Sequence, residues 1–194
     1  LQGGCAFWLV GGESGVGKSR LLDELRTRAL VEGALVLRGQ AVAEGGLPYH
    51  LWRDIARRLV LNTSLTDFEA GVLKAITPDI ETLLGRAIPD ASELPGTAGQ
   101  DRLVGTLVDV IRRQQYPLVL LLEDLQWAGE SLLPLSYLLR TITDRPLLVI
   151  GSYRDDERPE LVRGLSEMRR LPLPRLGPEH VATLSVAMLG EVGR

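Results

Sequence analysis

The feature that most constrains this chain is the octapeptide Gly12-Glu13-Ser14-Gly15-Val16-Gly17-Lys18-Ser19, set between two different hydrophobic periodicities. Before it runs Ala6-Phe7-Trp8-Leu9-Val10, apolar throughout and closed by Gly11-Gly12, which reads as a strand entering a turn. After it, Leu21, Leu22, Leu25 and Ala29 recur at helical spacing among Asp23, Glu24, Arg26 and Arg28. The octapeptide satisfies G-x-x-x-x-G-K-[ST] at every fixed position, in the strand–loop–helix setting that pattern requires. Its glycines let the backbone turn tightly and aim N–H groups inward, and the helix N-terminus adds partial positive charge. The expected chemistry is a phosphate cradle over Gly12–Ser19, with Arg20 next to it. Lys18 is expected to reach β- and γ-phosphates, and Ser19 to place its hydroxyl on Mg²⁺. The bland alternative is a glycine-rich turn with an incidental lysine, and it makes both flanks coincidences.

The same alternation continues to the C-terminal end. Ala34-Leu35-Val36-Leu37 reads as a second strand, and Pro48 opens a helix through Leu51, Trp52, Ile55, Ala56 and Leu59. Residues 62–96 are cut by Pro78, Pro89 and Pro95 into short helices or loops. Thr97-Ala98-Gly99-Gln100 resembles a capping box ahead of the stripe Leu103, Val104, Leu107, Val108 and Ile111. Leu118–Leu122 is apolar at each position, as in a strand covered on both faces. Ser131 is placed to cap the next helix, with Pro134 in its first turn. Pro146–Gly151 reads as another buried strand. Leu161, Leu165 and Met168 mark a short helix, and Leu171-Pro172-Leu173 an edge strand. Gly177-Pro178 starts a last helix with Val181, Leu184, Ser185 and Met188. Such alternation predicts an α/β fold: a parallel sheet with helices on both faces and right-handed crossovers.

Composition narrows the function classes. A chain of 194 residues with 45% hydrophobic and 24% charged residues is sized for one globular domain. A net charge of −3 gives no reason to expect nucleic-acid contact. The lone Cys5 excludes a disulfide framework and a CxxC metal site, and suits a reducing, cytoplasmic setting. The longest apolar runs fall far short of the ~20 residues that span a bilayer, so no membrane contact is expected. The first residue, Leu1, is not methionine, which suggests a piece of a larger polypeptide.

Phosphoryl chemistry also needs a carboxylate for the metal and a group to orient water. Glu123-Asp124 directly follows the Leu118–Leu122 strand, at the end that faces the ligand crevice in open α/β sheets. Glu123 is assigned to the metal side and Asp124 to the attacking water, with metal contact from both kept open; the alternative is that Asp124 only turns the chain. Arg154 follows the Leu147–Ser152 strand and precedes Asp155, Asp156 and Glu157. Spacing alone leaves it balanced between a γ-phosphate contact and a surface ion pair.

Leu120-Leu121-Leu122-Glu123-Asp124-Leu125-Gln126-Trp127-Ala128 resembles the Walker B segment of bacterial AAA-type and STAND-type P-loop ATPase modules. Such modules occur in LuxR-type transcription regulators and beside nucleotide cyclases and serine/threonine kinases. Gly12–Leu22, Leu47-Pro48-Tyr49 and Gly151–Glu157 look like the same family, so the resemblance covers about residues 6 to 185. It implies a five-stranded sheet in the order 5-1-4-3-2 and a sensor role for Arg154. It implies that Leu176-Gly177-Pro178 opens a linker to a helical subdomain, with Pro178 near the adenine. Residues 1–176 would be the ATPase core and 177–194 the first helix of that subdomain. Two departures stand out: Gly129 occupies a position where the family often has an acid, and the base-lining segment and the closing subdomains are not seen.

The implied activity is Mg²⁺-dependent ATP hydrolysis within a larger signalling or transcription-regulatory protein. The rival is a switch that holds ATP or ADP with negligible hydrolysis. Expected partners are an adenine nucleotide, other domains of the parent polypeptide and further copies of this chain in a homo-oligomer. Guanine recognition by Asn-Lys-x-Asp is impossible, because the only asparagine, Asn62, is followed by Thr63. His50 and His180 form no HExxH, and no G-x-S-x-G elbow occurs. Trp8, Trp52 and Trp127 read as core or crevice wall. The pairs Arg57-Arg58, Arg112-Arg113 and Arg169-Arg170 read as solvated helix faces.

Overall fold

A computed structural model describes residues 4–43 and 48–189. The apolar runs become five parallel strands: β1 (Cys5–Gly11), β2 (Leu35–Gln40), β3 (Leu118–Glu123), β4 (Leu147–Tyr153) and β5 (Arg169–Pro172). They lie in the order β2-β3-β4-β1-β5, the expected 5-1-4-3-2. Around them run α1 (Lys18–Val31), α2 (His50–Asn62), α3 (Asp67–Leu73), α4 (Ile80–Leu84), α5 (Ala98–Arg112), α6 (Leu132–Thr141), α7 (Leu161–Gly164) and α8 (Pro178–Leu189).

The strand order decides how the two sheet faces are covered. The β1→β2 connection crosses β4 and β3 in one direction, while the later connections return in the other. With right-handed crossovers, α1 then has one face to itself. There Leu22 packs with Val10, Val36, Val119, Leu121 and Ile150, while Trp8 and Leu148 are only partly covered. The opposite face carries the main core, where Leu9, Leu37, Leu120, Leu122 and Val149 meet Trp52, Ile55, Leu107, Ile111 and Leu138. α2 reaches β2 so closely that a Cβ on Gly39 would overlap the Leu51 carbonyl, so only glycine fits there.

Local expectations fail where a neighbour outweighs the pattern. Thr97 caps nothing: it lies in the helical region (φ −81°, ψ −7°), which turns its hydroxyl away from the first free N–H groups. The real capping box is Thr66/Glu69, with Thr66 extended (φ −70°, ψ 160°), at the start of α3 in the segment least legible from periodicity. Pro48 precedes the helix it was expected to open; α2 begins at His50, after Tyr49 in the left-handed region. Ser131 makes no side-chain cap but closes a 3₁₀ turn, and its carbonyl accepts from Trp52 Nε1 at 2.7 Å. The helix marked by Leu161 and Met168 stops at Gly164. Arg169-Arg170 lies on exposed β5 and not on a helix, with Arg169 over the Trp8 ring at 5.8 Å. Leu47 and the side chains of Leu184, Ser185 and Met188 lie outside the described residues. No described helix is long and apolar enough to cross a membrane.

Candidate functional site

The crevice lies at the carboxyl ends of β1, β3 and β4. Leaving β1, the chain turns through Gly15 (φ 81°) and Gly17 (φ 101°), values that side chains with a Cβ rarely adopt. A Cβ at either would meet nothing within 4 Å, so backbone conformation and not crowding selects glycine. Gly17 is the N-cap of α1 and no side chain satisfies the first N–H groups of the helix. Glu13, Ser14, Gly15 and Ser19 are exposed, and Val16 is half-buried. The result is an open cradle of donors at a helix N-terminus, the arrangement that binds phosphate.

Lys18 is buried and folded back over this loop, its Nζ donating to the carbonyls of Gly12 at 2.6 Å and Glu13 at 2.8 Å. Burial, and then the Arg154 guanidinium, holds its ammonium below the ordinary lysine range, while Asp124, Asp155 and Asp156 pull the other way. A phosphate anion between Lys18 and Arg154 would relieve that repulsion. Arg20 points outward on α1.

Parallel pairing carries β3 alongside the loop. Glu123, 2% exposed, accepts from Ser19 Oγ at 3.0 Å through Oε2 and from Arg38 Nε through Oε1. Asp124 leaves the strand in the left-handed region (φ 56°). Its carboxylate accepts from Gln40 Nε2 at 2.8 Å and Gln126 Nε2 at 3.4 Å. The two acids therefore face different surroundings, Glu123 bridging α1 and β2 through Ser19 and Arg38, and Asp124 lying between Gln40 of β2 and Gln126. Among the described residues no three His, Cys, Asp or Glu side chains converge on a point. A divalent cation would therefore draw most of its oxygens from water and the nucleotide, as Mg²⁺ commonly does. Ser19 and Glu123 fit that minimal role.

Arg154 stands at the end of β4, its guanidinium 5.0 Å from the centroid of the Trp127 ring and paired with Glu157. Its backbone N–H donates to Gln126 Oε1 at 3.0 Å, and Arg158 Nη1 donates to the Gln126 carbonyl at 3.1 Å. Gln126 thus fastens the turn after β3 to the loop after β4. On the far side of the cradle, Gly12, Glu13, Val16, Leu173, Pro174 and Arg175 border a cleft of about 380 Å³, with Asp155 and Asp156 opposite. Gly12 is required there, since a Cβ would sit 2.5 Å from the Leu173 carbonyl. Pro178 is exposed and does not line that cleft. His50, whose Nδ1 is buried without a hydrogen-bond partner among the described residues, borders a separate pocket with Trp127 and Ser131.

The family model described as "AAA ATPase domain" matches residues 1–150. This chain belongs to that family. No curated protein sequence matches the AAA chain. Among solved structures it is similar to the FIGL-1 AAA domain in complex with ADP, at 18% identity and TM-score 0.41, over 92% of this chain and 48% of that one. It is also similar to Drosophila ORC bound to AT-rich DNA and Cdc6, at 14% identity and TM-score 0.45, over 95% and 57%. A third similar structure is the plasmid coupling protein TrwB in complex with the non-hydrolysable GTP analogue GDPNP, at 14% identity and TM-score 0.42, over 83% and 66%. The AAA chain spans about half the length of the first of these.

The sequence reading missed three residues of this AAA site: Arg38, Gln40 and Gln126. Arg38 and Gln40 are polar positions at the end of an otherwise apolar strand, which is the one signal they leave. Their target becomes visible only in the register, where Gln40 pairs with Glu123.

Proposed function

We propose that this AAA domain binds ATP through Gly12–Ser19 and hydrolyses it in a Mg²⁺-dependent reaction. The observation that carries the reading is the convergence of three elements on one point. An uncapped helix N-terminus, Lys18, and the Ser19–Glu123 contact at 3.0 Å all border the same cradle. In the proposed mechanism the loop N–H groups and Lys18 hold the β- and γ-phosphates and neutralise charge that builds in the transition state. Mg²⁺, when bound, supplies Lewis-acid polarisation of phosphate oxygens, with Ser19 and Glu123 on its protein side. Asp124 orients the attacking water. Arg154 leaves Glu157 and Trp127 to meet the γ-phosphate. Adenine lies on the Leu173–Arg175 side, with ADP as product, and Pro178 opens the helix of a further subdomain.

A second reading, a nucleotide-dependent switch with negligible hydrolysis of its own, is favoured by one observation. Both Asp124 and Arg154 are already engaged by protein partners, Gln40 and Glu157. Under either reading the module works for other domains of a signalling or regulatory polypeptide, with homo-oligomerisation as one way to close the site.

Single-turnover hydrolysis of labelled ATP, with and without Mg²⁺, decides between them. Turnover that needs Mg²⁺ and disappears in Asp124→Asn supports the enzyme. Tight ATP binding with no product supports the switch. Loss of neither nucleotide in Lys18→Ala removes the site.

A further inference from the structure

Glu123 is the most deeply buried acid of the site, its side chain 3% exposed, and both its oxygens are taken. Oε2 accepts from the Ser19 hydroxyl at 3.0 Å. Oε1 accepts from Nε of Arg38, whose other arm, Nη1, donates to Asp23 Oδ1 at 2.8 Å. Asp23 lies one helical turn beyond Ser19 on α1. One guanidinium on β2 therefore ties the acid of β3 to the helix that carries the phosphate loop.

A carboxylate this buried must have partners, because desolvating it alone is costly. Arginine suits the task better than lysine, since its rigid fork engages two acids at once and fixes the plane of each contact. The positive charge does not abolish attraction for a cation, because Asp23, Arg38 and Glu123 together keep a net negative charge. What the guanidinium adds is orientation: with Oε1 held, Oε2 faces Ser19.

We propose that Arg38 is a positioning residue for the metal: it holds the Glu123 carboxylate turned so that Oε2 stays at the Ser19 hydroxyl, where a divalent cation arriving with the nucleotide is met. This rests on the nucleotide-and-metal reading of the site. Arg38 touches neither nucleotide nor cation and acts only through Glu123. Asp23 steadies it from behind.

The test is Mn²⁺ binding by electron paramagnetic resonance at saturating ADP, set beside ADP affinity measured calorimetrically in chelator. Losing an outer-shell partner of a metal ligand costs roughly 10–100-fold in metal affinity, so Arg38→Gln is expected to weaken Mn²⁺ by that factor. Its metal-free ADP affinity should stay unchanged. Arg38→Lys should recover part of the loss, since it keeps the charge but engages one acid. Asp23→Asn should shift Mn²⁺ in the same direction by less. Unchanged or tighter Mn²⁺ binding in Arg38→Gln overturns the proposal, and so does an equal loss of metal-free ADP affinity, the mark of a general structural role. If the unmodified protein binds Mn²⁺ with ADP and Arg38→Gln matches it, only Arg38's role falls. If the unmodified protein binds no Mn²⁺ with ADP, the proposed function falls and takes this proposal with it.

Discussion

The two halves of the site are built in opposite ways. The phosphate cradle is one continuous stretch of chain, closed by a helix N-terminus that no side chain caps. The acid-and-arginine half is assembled from the ends of β2, β3 and β4, and each charged group there already has a partner. Glu123 has Ser19 and Arg38, Asp124 has Gln40 and Gln126, and Arg154 has Glu157 and Trp127. The cradle's backbone is already shaped for a phosphate, and only Lys18 would have to give up contacts, those to the Gly12 and Glu13 carbonyls. On the proposed reading Glu123 keeps Ser19 and Arg38, while Arg154 must exchange its partners when a nucleotide arrives. Binding energy should therefore concentrate in the first half, and the distinction between nucleotide states in the second.

The sharpest break in that comparison comes from Asp124→Asn. Asparagine tolerates the left-handed backbone that Asp124 adopts (φ 56°), so the substitution removes a charge and leaves the fold intact. We expect hydrolysis to fall by about 10²–10⁴-fold, the usual contribution of a positioned acid or base. Nucleotide affinity should hold. Single-turnover product formation and calorimetry on the same sample check both. If Glu123→Gln stops hydrolysis and Asp124→Asn does not, the two acids have exchanged roles.

Lys18→Ala tests the other half and should act on binding itself. A hydrogen bond to a charged group is worth ~1.5–3 kcal/mol, so calorimetric affinity for ATP should fall more than tenfold. An unchanged dissociation constant would leave the cradle without its ligand. Gly12→Ala comes next. Its Cβ would stand 2.5 Å from the carbonyl oxygen of Leu173, a residue whose backbone N–H is tied to the Gly11 carbonyl by a 2.7 Å hydrogen bond, so neither side can yield cheaply. Overpacking of this kind costs about 1–3 kcal/mol, and in a chain of this size each kcal/mol lowers Tm by about 2–4 °C. A variant that melts with the parent would show that the β1–β5 exit has room to move.

The same contrast explains what could be read from the residues alone. The cradle is local, so glycine spacing and two flanking periodicities sufficed. Strand positions were legible because buried parallel strands are apolar at each position, as in Leu118–Leu122. Their spatial order was not, since alternation is the same for any order; 5-1-4-3-2 came from the resemblance carried by Glu123–Ala128. The partners of the acids were hidden for a related reason. Arg38 and Gln40 meet Glu123 and Asp124 across 85 and 84 residues of chain, through a register that no local pattern encodes. The capping box was misplaced because Thr97 and Thr66 carry comparable signals and differ only in backbone angles set by packing.

The smallest expected effect is also the most specific to the partner-exchange half. Arg154 rests between Glu157 and the Trp127 ring. A partly exposed ion pair is worth about 0–1 kcal/mol and an exposed cation–π contact about 0.5–1 kcal/mol. A charged contact to a γ-phosphate is worth ~1.5–3 kcal/mol, so ATP wins the guanidinium by a net of about 1 kcal/mol, or roughly fivefold. ADP has no γ-phosphate and leaves Arg154 where it is. Arg154→Ala should therefore weaken ATP by about that factor, leave ADP unmoved, and narrow the ratio of the two dissociation constants at fixed Mg²⁺ and salt. Glu157→Gln should do the reverse: with its resting partner weakened, Arg154 transfers more cheaply and the ratio widens. Opposite shifts in the two variants are the signature of an exchange between partners. A ratio that moves in neither would make Arg154 a surface residue, and one that narrows in both would place Glu157 on the nucleotide side of the exchange.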